Sequence, residues 1–441
     1  MLIYMALFGM AGGLILFEKY SKMKKSVKRI LVCAGLALAV FLMFALRHQS
    51  MGIDLHYLKD YGYLGSFEKI GSKSWKEVLE MESFQNYERG YILFNKLVAS
   101  ISMDRQFFLA CCAFCSVAPI AWTIYKKSES PALSFIAYMG MPFFVLTFSG
   151  LRQSIAIGLC FWALSFIQEK KPVRFALLVL LASTFHSTAL LFLIAYPVYY
   201  IRLSRGVRWA TVFLLPLVYL HAAVLFPFVS IFMGGAVMDN NGAVELFLVF
   251  MGVYALCISM LKNGGVGKKG YADMLLNKDT VSPDQEGLLN LFWLGCACQG
   301  FSGVYALALR LAYYFLAPLV LLLPSLVKYL PRGKLIRIKR EQKPVEPQKT
   351  YLPSVPVYPE TFKEKFVRKW ESFLESIQDL KIVRWFAKKR PVKALANFWR
   401  EEKRTVFTWL VALCLVVFGL YMLGATYWSM SYPYYFFWEP V

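Results

Sequence analysis

The chain has 441 residues, of which 58% are hydrophobic and only 17% charged, yet its formal net charge is +22. A soluble chain of this length carries about a quarter of its residues as charges, so composition excludes a soluble globular enzyme. The apolar residues fall in blocks of roughly 16 to 22; about 20 carry a helix across a ~30 Å hydrocarbon layer, so the fold class is an all-α polytopic membrane protein.

Lys and Arg collect on the cytoplasmic loops of such proteins, so the excess charge reads as topology and no nucleic acid partner is expected. The first block, residues 2–17, ends at a basic run from Lys19 to Arg29. A signal peptide carries its charges before the apolar core, so this segment reads as a retained span with its N-terminus outside. Residues 30–46 return outward to a loop, 47–105, with 8 basic and 8 acidic residues. A long loop without basic excess fits the outer face. Within it, residues 91–101 are too short to span.

Residues 106–125 go inward to Lys126 and Lys127, 131–148 outward, and 154–168 inward to Lys170, Lys171 and Arg174. Residues 175–200 are interrupted by Ser183, Thr184, His186, Ser187 and Thr188. A hairpin turning at His186 keeps the basic clusters on both sides of this stretch cytoplasmic and is preferred to one long tilted helix. Residues 209–230 go outward, 246–260 inward, 288–309 outward and 311–327 inward, with Arg310 at the outer turn. Between 328 and 404 there are 21 basic and 9 acidic residues, a net +12. The basic insert, 331–404, opens with a Pro-rich linker, 344–359. An amphipathic helix follows over 361–390, with Phe362, Phe366, Trp370, Phe373, Ile377 and Leu380 on one face, suited to anionic lipids of the inner leaflet or to a partner protein. Residues 405–441 supply the last span and an aromatic external tail. The total is about 12 spans with both termini outside.

This topology gathers Arg47, Asp54, Arg152, His186 and Arg310 at the external boundary. An ionisable residue at membrane depth costs about 2.5–3.5 kcal/mol and is a functional candidate by default. Arg152 and Arg310 also read as snorkelling interface arginines. His186 reads as a general base, a sugar hydrogen-bonder or a helix-packing polar group. The guanidinium is permanently charged and grips phosphate in a fork, so two of them at an outer face suit a lipid diphosphate, holding it as it leaves without a metal. Outer aromatics such as Tyr63, Trp75 and Tyr87 offer faces for sugars, or form an interfacial belt. The nine cysteines lie in apolar blocks; Cys112 and Cys115 have metal-ligand spacing, but no further ligands complete a set. No metal and no cofactor is expected.

Several of these segments resemble the EpsG-like, Wzy-type bacterial polysaccharide polymerases. They are Arg47 with Gly52, Asp54 and Tyr57; Glu88, Gly90 and Tyr91; Phe148 to Ser154, including Arg152 and Gln153; Phe185 to Leu190, including His186; and Arg310 with Tyr313, Tyr314 and Phe315. The resemblance covers roughly 1–330, a transmembrane catalytic bundle, and the last span; the insert departs from it. It implies a GT-C-like helical bundle in the bacterial cytoplasmic membrane. The implied activity is an inverting, metal-independent glycosyltransferase that polymerises undecaprenyl-diphosphate-linked oligosaccharides on the outer face into exopolysaccharide or capsule. It also implies that Arg152 and Arg310 hold the leaving diphosphate and that His186 is the base. Arg47 and Asp54 would position donor or acceptor, with Tyr57, Glu88, Tyr91, Gln153, Tyr313 and Tyr314 as further substrate-binding candidates. A flippase or a chain-length regulator is an expected partner. A glycan ligase shares the donor chemistry, and a lipid-linked oligosaccharide flippase, another transporter or a membrane scaffold are readings from other classes.

Overall fold

The structure, a computed structural model, describes residues 2–55, 62–81, 84–225, 243–261, 283–328 and 407–421. Among them there is no strand. The chain divides into two units, Met1–Leu330 with Leu410–Val441, and Pro331–Trp409. The Pro-rich linker, the amphipathic helix and the aromatic tail lie outside the described residues, as does Tyr57.

Five helices among the described residues are long and apolar enough to cross a membrane: Leu2–Tyr20, Lys25–Ala45, Arg105–Lys127, Leu151–Gln168 and Ala308–Lys328. Shorter apolar helices accompany them, including Phe407–Tyr421. The chain is therefore a helical membrane protein.

The first two spans, α1 (Leu2–Tyr20) and α2 (Lys25–Ala45), lead to the 47–105 segment, where α3 (Tyr63–Gly71), α4 (Trp75–Glu80) and α5 (Arg89–Ile101) are short. Ser74 and Glu77 form a reciprocal capping box at the start of α4, satisfying two backbone donors that a six-residue helix otherwise leaves to water. The loop is thus a folded cap. Phe67 of α3 stacks on Phe108 at 4.3 Å, and Leu64, Tyr91, Val98 and Leu151 share their buried cluster. That cluster seats the cap on the N-terminal ends of α6 (Arg105–Lys127) and α9 (Leu151–Gln168).

The opposite end is basic. Arg29 of α2 donates to the carbonyls of Ile124 (3.2 Å) and Ser128 (2.7 Å) at the end of α6, a cation on the negative pole of a helix. Lys127 pairs with Glu169 at 3.0 Å, and Lys328 pairs with Glu129.

Two expected crossings take a different form, and a third stretch takes the form preferred. Residues 131–148 are two short helices, α7 (Pro131–Met139) and α8 (Pro142–Leu146). Met141, the residue before Pro142, is extended with ψ 148°, because proline's ring disfavours helical backbone at the preceding position. Residues 172–200 form the preferred hairpin: α10 (Pro172–Ser183) stops at Thr184, and a 3₁₀ helix, Ser187–Ile194, continues into α11 (Ala195–Tyr200). Phe175, near the start of α10, packs against Phe192 and Tyr196 on the return. At 1.5 Å per residue, α10 is ~18 Å long, short of the ~30 Å core. The second difference concerns Arg310. After α12 (Arg205–Leu220), α13 (Ala243–Met260) and α14 (Pro283–Gln299), the turn falls at 300–305, and Arg310 lies inside α15 (Ala306–Leu316), ahead of α16 (Leu319–Lys328). The Gly300–Gly303 stretch, poor in helix propensity, makes the turn.

Candidate functional site

Two glycines bring distant segments into register at the end of the bundle that carries the cap. Gly52 has φ +120°, and a Cβ there would lie 2.0 Å from the carbonyl oxygen of Phe148. Only glycine adopts that backbone so close to another chain segment. The adjacent Ile53 N–H donates to Ser149 Oγ at 3.3 Å, which sets Asp54 beside the start of α9. Gly90 does the same for α5: a Cβ would lie 2.2 Å from Thr184 Oγ1, and the Tyr91 N–H donates to the Thr184 carbonyl at 3.2 Å. This junction carries Glu88 to the tip of the α10 hairpin.

Glu88 is the hub. It occupies the N-cap position of α5 without capping that helix by its side chain. One carboxylate oxygen accepts from the Ser187 N–H at 2.8 Å and from His186 Nδ1 at 3.2 Å. The other accepts from the Arg152 guanidinium. A carboxylate at the start of the 3₁₀ helix also meets the positive end of its backbone dipoles. Burial alone would raise the Glu88 carboxyl, but hydrogen bonds from His186 and Ser187 and the charge of Arg152 outweigh it and hold it at about 2. Glu88 is therefore an anion throughout the physiological range.

Arg152 is enclosed by the cap. Its guanidinium lies 4.5 Å from the Tyr87 ring centroid and 5.9 Å from that of Tyr63, and its Nε donates to the Tyr63 hydroxyl at 3.4 Å. Burial pushes the Tyr63 hydroxyl up to about 12, so it accepts from Arg152 as a neutral phenol. These two rings, read in the sequence as faces for sugars, are spent on holding the guanidinium. In the neutral imidazole, a proton on Nδ1 toward Glu88 leaves the lone pair on Nε2.

Asp54, Tyr63, Gly150, Arg152, Gln153, His186 and Arg310 line one small pocket of about 20 Å³, room for a single water-sized group. Five sequence candidates, Asp54, Arg152, Gln153, His186 and Arg310, thus converge from four separate segments. Arg310 is exposed, and among the described residues its side chain has no hydrogen-bond or ion-pair partner. Its carbonyl accepts from Gln153 Nε2 at 2.7 Å. Arg47, Tyr91, Tyr313 and Tyr314 do not line the pocket. Arg47 is 1% exposed; it donates to the Thr147 carbonyl at 3.0 Å and lies over the Phe148 ring, fixing the segment that enters α9. Tyr91 is buried in the cap, and Tyr313 and Tyr314 are buried in α15. The Tyr314 hydroxyl meets Thr188 Oγ1 at 3.3 Å. The sequence treated these aromatics as ligand-facing because burial in a folded cap leaves no local signature. It also missed Thr184 and the Ser187 N–H, since a backbone donor is not legible in residue types.

Fold and site together define a helical membrane protein whose ionisable candidates collect at the end opposite its basic clusters. The chain belongs to the EpsG family, whose model matches residues 28–339. That membership points to a polysaccharide polymerase-type membrane protein. No curated protein and no solved structure matches the chain.

Proposed function

We propose that this protein polymerises undecaprenyl-diphosphate-linked oligosaccharides on the outer face of the bacterial cytoplasmic membrane, as an inverting glycosyltransferase that needs no metal. One lipid-linked chain is the donor and another supplies the attacking hydroxyl. The finer architecture that goes with this reading is about 12 spans in a GT-C-like bundle, with a flippase or chain-length regulator as a working partner.

The observation that carries the proposal is the convergence of a base and two guanidinium groups on one pocket at the end away from the basic clusters, with a carboxylate that contacts the base and one of the guanidinium groups. The acceptor hydroxyl attacks the anomeric carbon of the donor. As that C–O bond forms, the bond from the anomeric carbon to the diphosphate breaks and the diphosphate leaves with its electron pair. His186 Nε2 takes the hydroxyl proton while Glu88 holds the ring through Nδ1, a division of labour seen wherever a carboxylate orients a catalytic imidazole. The departing charge is stabilised by Arg310 and Arg152. Arg310 is the first contact, because its guanidinium is exposed and uncommitted, whereas Glu88 already occupies Arg152. Opening of the pocket beyond its present volume accompanies substrate entry. Asp54 and Gln153 line the approach, and Arg47 acts by fixing the α9 entry segment.

The test is incubation of the purified protein with a synthetic lipid-diphosphate oligosaccharide. A ladder of longer lipid-linked products is expected, and Arg152→Ala at normal membrane levels abolishes it. Unchanged substrate with the wild-type protein would move the reading to transport or scaffolding, and a single transfer to a different acceptor would move it to ligation.

A further inference from the structure

A second cavity lies along the membrane-facing side of α6, α9 and α10, with a volume of about 580 Å³. That is within the range of sites for organic ligands. All its lining side chains are apolar, among them Phe114, Ala118, Trp122, Leu159, Trp162 and Leu181. Phe114, Trp122 and Leu181 are exposed at its rim, between 48% and 62%. Pro119, inside α6, cannot donate to the carbonyl one turn back, and small Ala118 beside it leaves space at the floor.

Two chain segments run from the groove to the polar pocket. Phe185, which lines the groove, immediately precedes His186. On α9, Ile155, Leu159 and Trp162 line the groove and follow Arg152 at steps of 3, 4 and 3 residues, so all four share one helix face. From Arg152 to Trp162 the face runs ~15 Å at 1.5 Å per residue, about one leaflet of a ~30 Å hydrocarbon core. A slot that is charged at the outer boundary and apolar for one leaflet below it matches an amphiphile with an anionic head and a long hydrocarbon chain.

We propose that this groove binds the polyisoprenyl chain of the lipid-linked donor, drawing it out of the bulk lipid so that its diphosphate arrives at Arg310 and Arg152. The inference rests on the polymerase reading for the identity of the head group, and the groove itself is tested independently of activity.

The experiment uses the full-length protein in phospholipid nanodiscs with a diazirine-bearing polyisoprenyl-diphosphate oligosaccharide as the probe. Crosslinks are expected at Phe114, Leu159 and Leu181, suppressed about tenfold by unlabelled lipid-linked oligosaccharide and not by added phospholipid. Equal competition by phospholipid would show the groove to be an ordinary lipid-facing surface and overturn the proposal. In a parallel assay, Ala118→Phe and, at the rim, Leu181→Trp are expected to raise KM about tenfold for a long-chain donor, with kcat and the KM of a short-chain donor unchanged. Equal KM for both donors in both variants would also overturn it. Absence of a product ladder from wild type, with specific crosslinks retained, would reject the polymerase reading and leave the groove in place.

Discussion

Replacing Glu88 by Gln removes one charge from the hub of the candidate site while nearly preserving its volume. The ordinary carboxyl value is 4.5, and in the folded protein it is about 2. That depression corresponds to ~3 kcal/mol of stability at neutral pH, an upper figure because the side chain remains 15% exposed. Its sign is set by the lowered value: the stabilisation is complete above about pH 5 and is lost as pH falls toward 2. At pH 3 less than half of it, ~1.4 kcal/mol, remains. Thermal unfolding of wild type and Glu88→Gln in the same nanodiscs should therefore show a gap at pH 7 that narrows by more than half at pH 3. The amide also presents an NH2 group where Arg152, Ser187 and His186 all donate, so one donor is left facing another. With His186 no longer held by a charge, kcat should fall about 10- to 100-fold, the loss typical of an orienting partner. A gap that is the same at pH 7 and pH 3, together with undiminished turnover, would refute the assignment of Glu88 as the anionic hub.

Arg152→Lys keeps the charge but not the fork or the flat face that stacks on Tyr87, so product-ladder formation should fall at least tenfold despite the nominally conservative change. Arg310→Gln removes a guanidinium whose side chain has no partner among the described residues; its thermal midpoint should stay within the equivalent of ~0.5 kcal/mol of wild type, with turnover down about 10²- to 10³-fold. Gly52→Ala forces a Cβ into the Phe148 carbonyl and onto a positive φ, costing roughly 1–3 kcal/mol in backbone strain alone. Limited proteolysis of the 47–105 segment should report that loss of anchoring. Phe67→Ala empties the centre of the cap cluster and should cost ~3–5 kcal/mol, read by the same proteolysis and by reduced midpoints, while the basic end of the bundle is unaffected.

Apolar block length by itself determined that this is a helical membrane protein, because a bilayer leaves helices of about 20 apolar residues few alternatives. That the ionisable candidates lie at the end of the bundle away from the basic joints was also legible, since Lys and Arg cluster at the joints of one end. The polar interruption at Thr184–His186 allowed the α10 hairpin, and the basic clusters on both sides of the stretch favoured it over one long helix. Local sequence did not reveal the break at Pro142 within an apolar run, nor that Arg310 lies one turn inside a helix, since apolarity does not distinguish a continuous helix from a broken one. Tertiary structure alone decided how the candidates divide the work. Glu88, Arg152 and His186 are separated by 64 and 98 residues in their contacts with Glu88, and they meet only because Gly52 and Gly90 permit backbone approaches that no residue pattern announces. The structure also decided that Arg47, Tyr91, Tyr313 and Tyr314 do not line the pocket, because burial is a property of what packs around a side chain and not of the side chain itself.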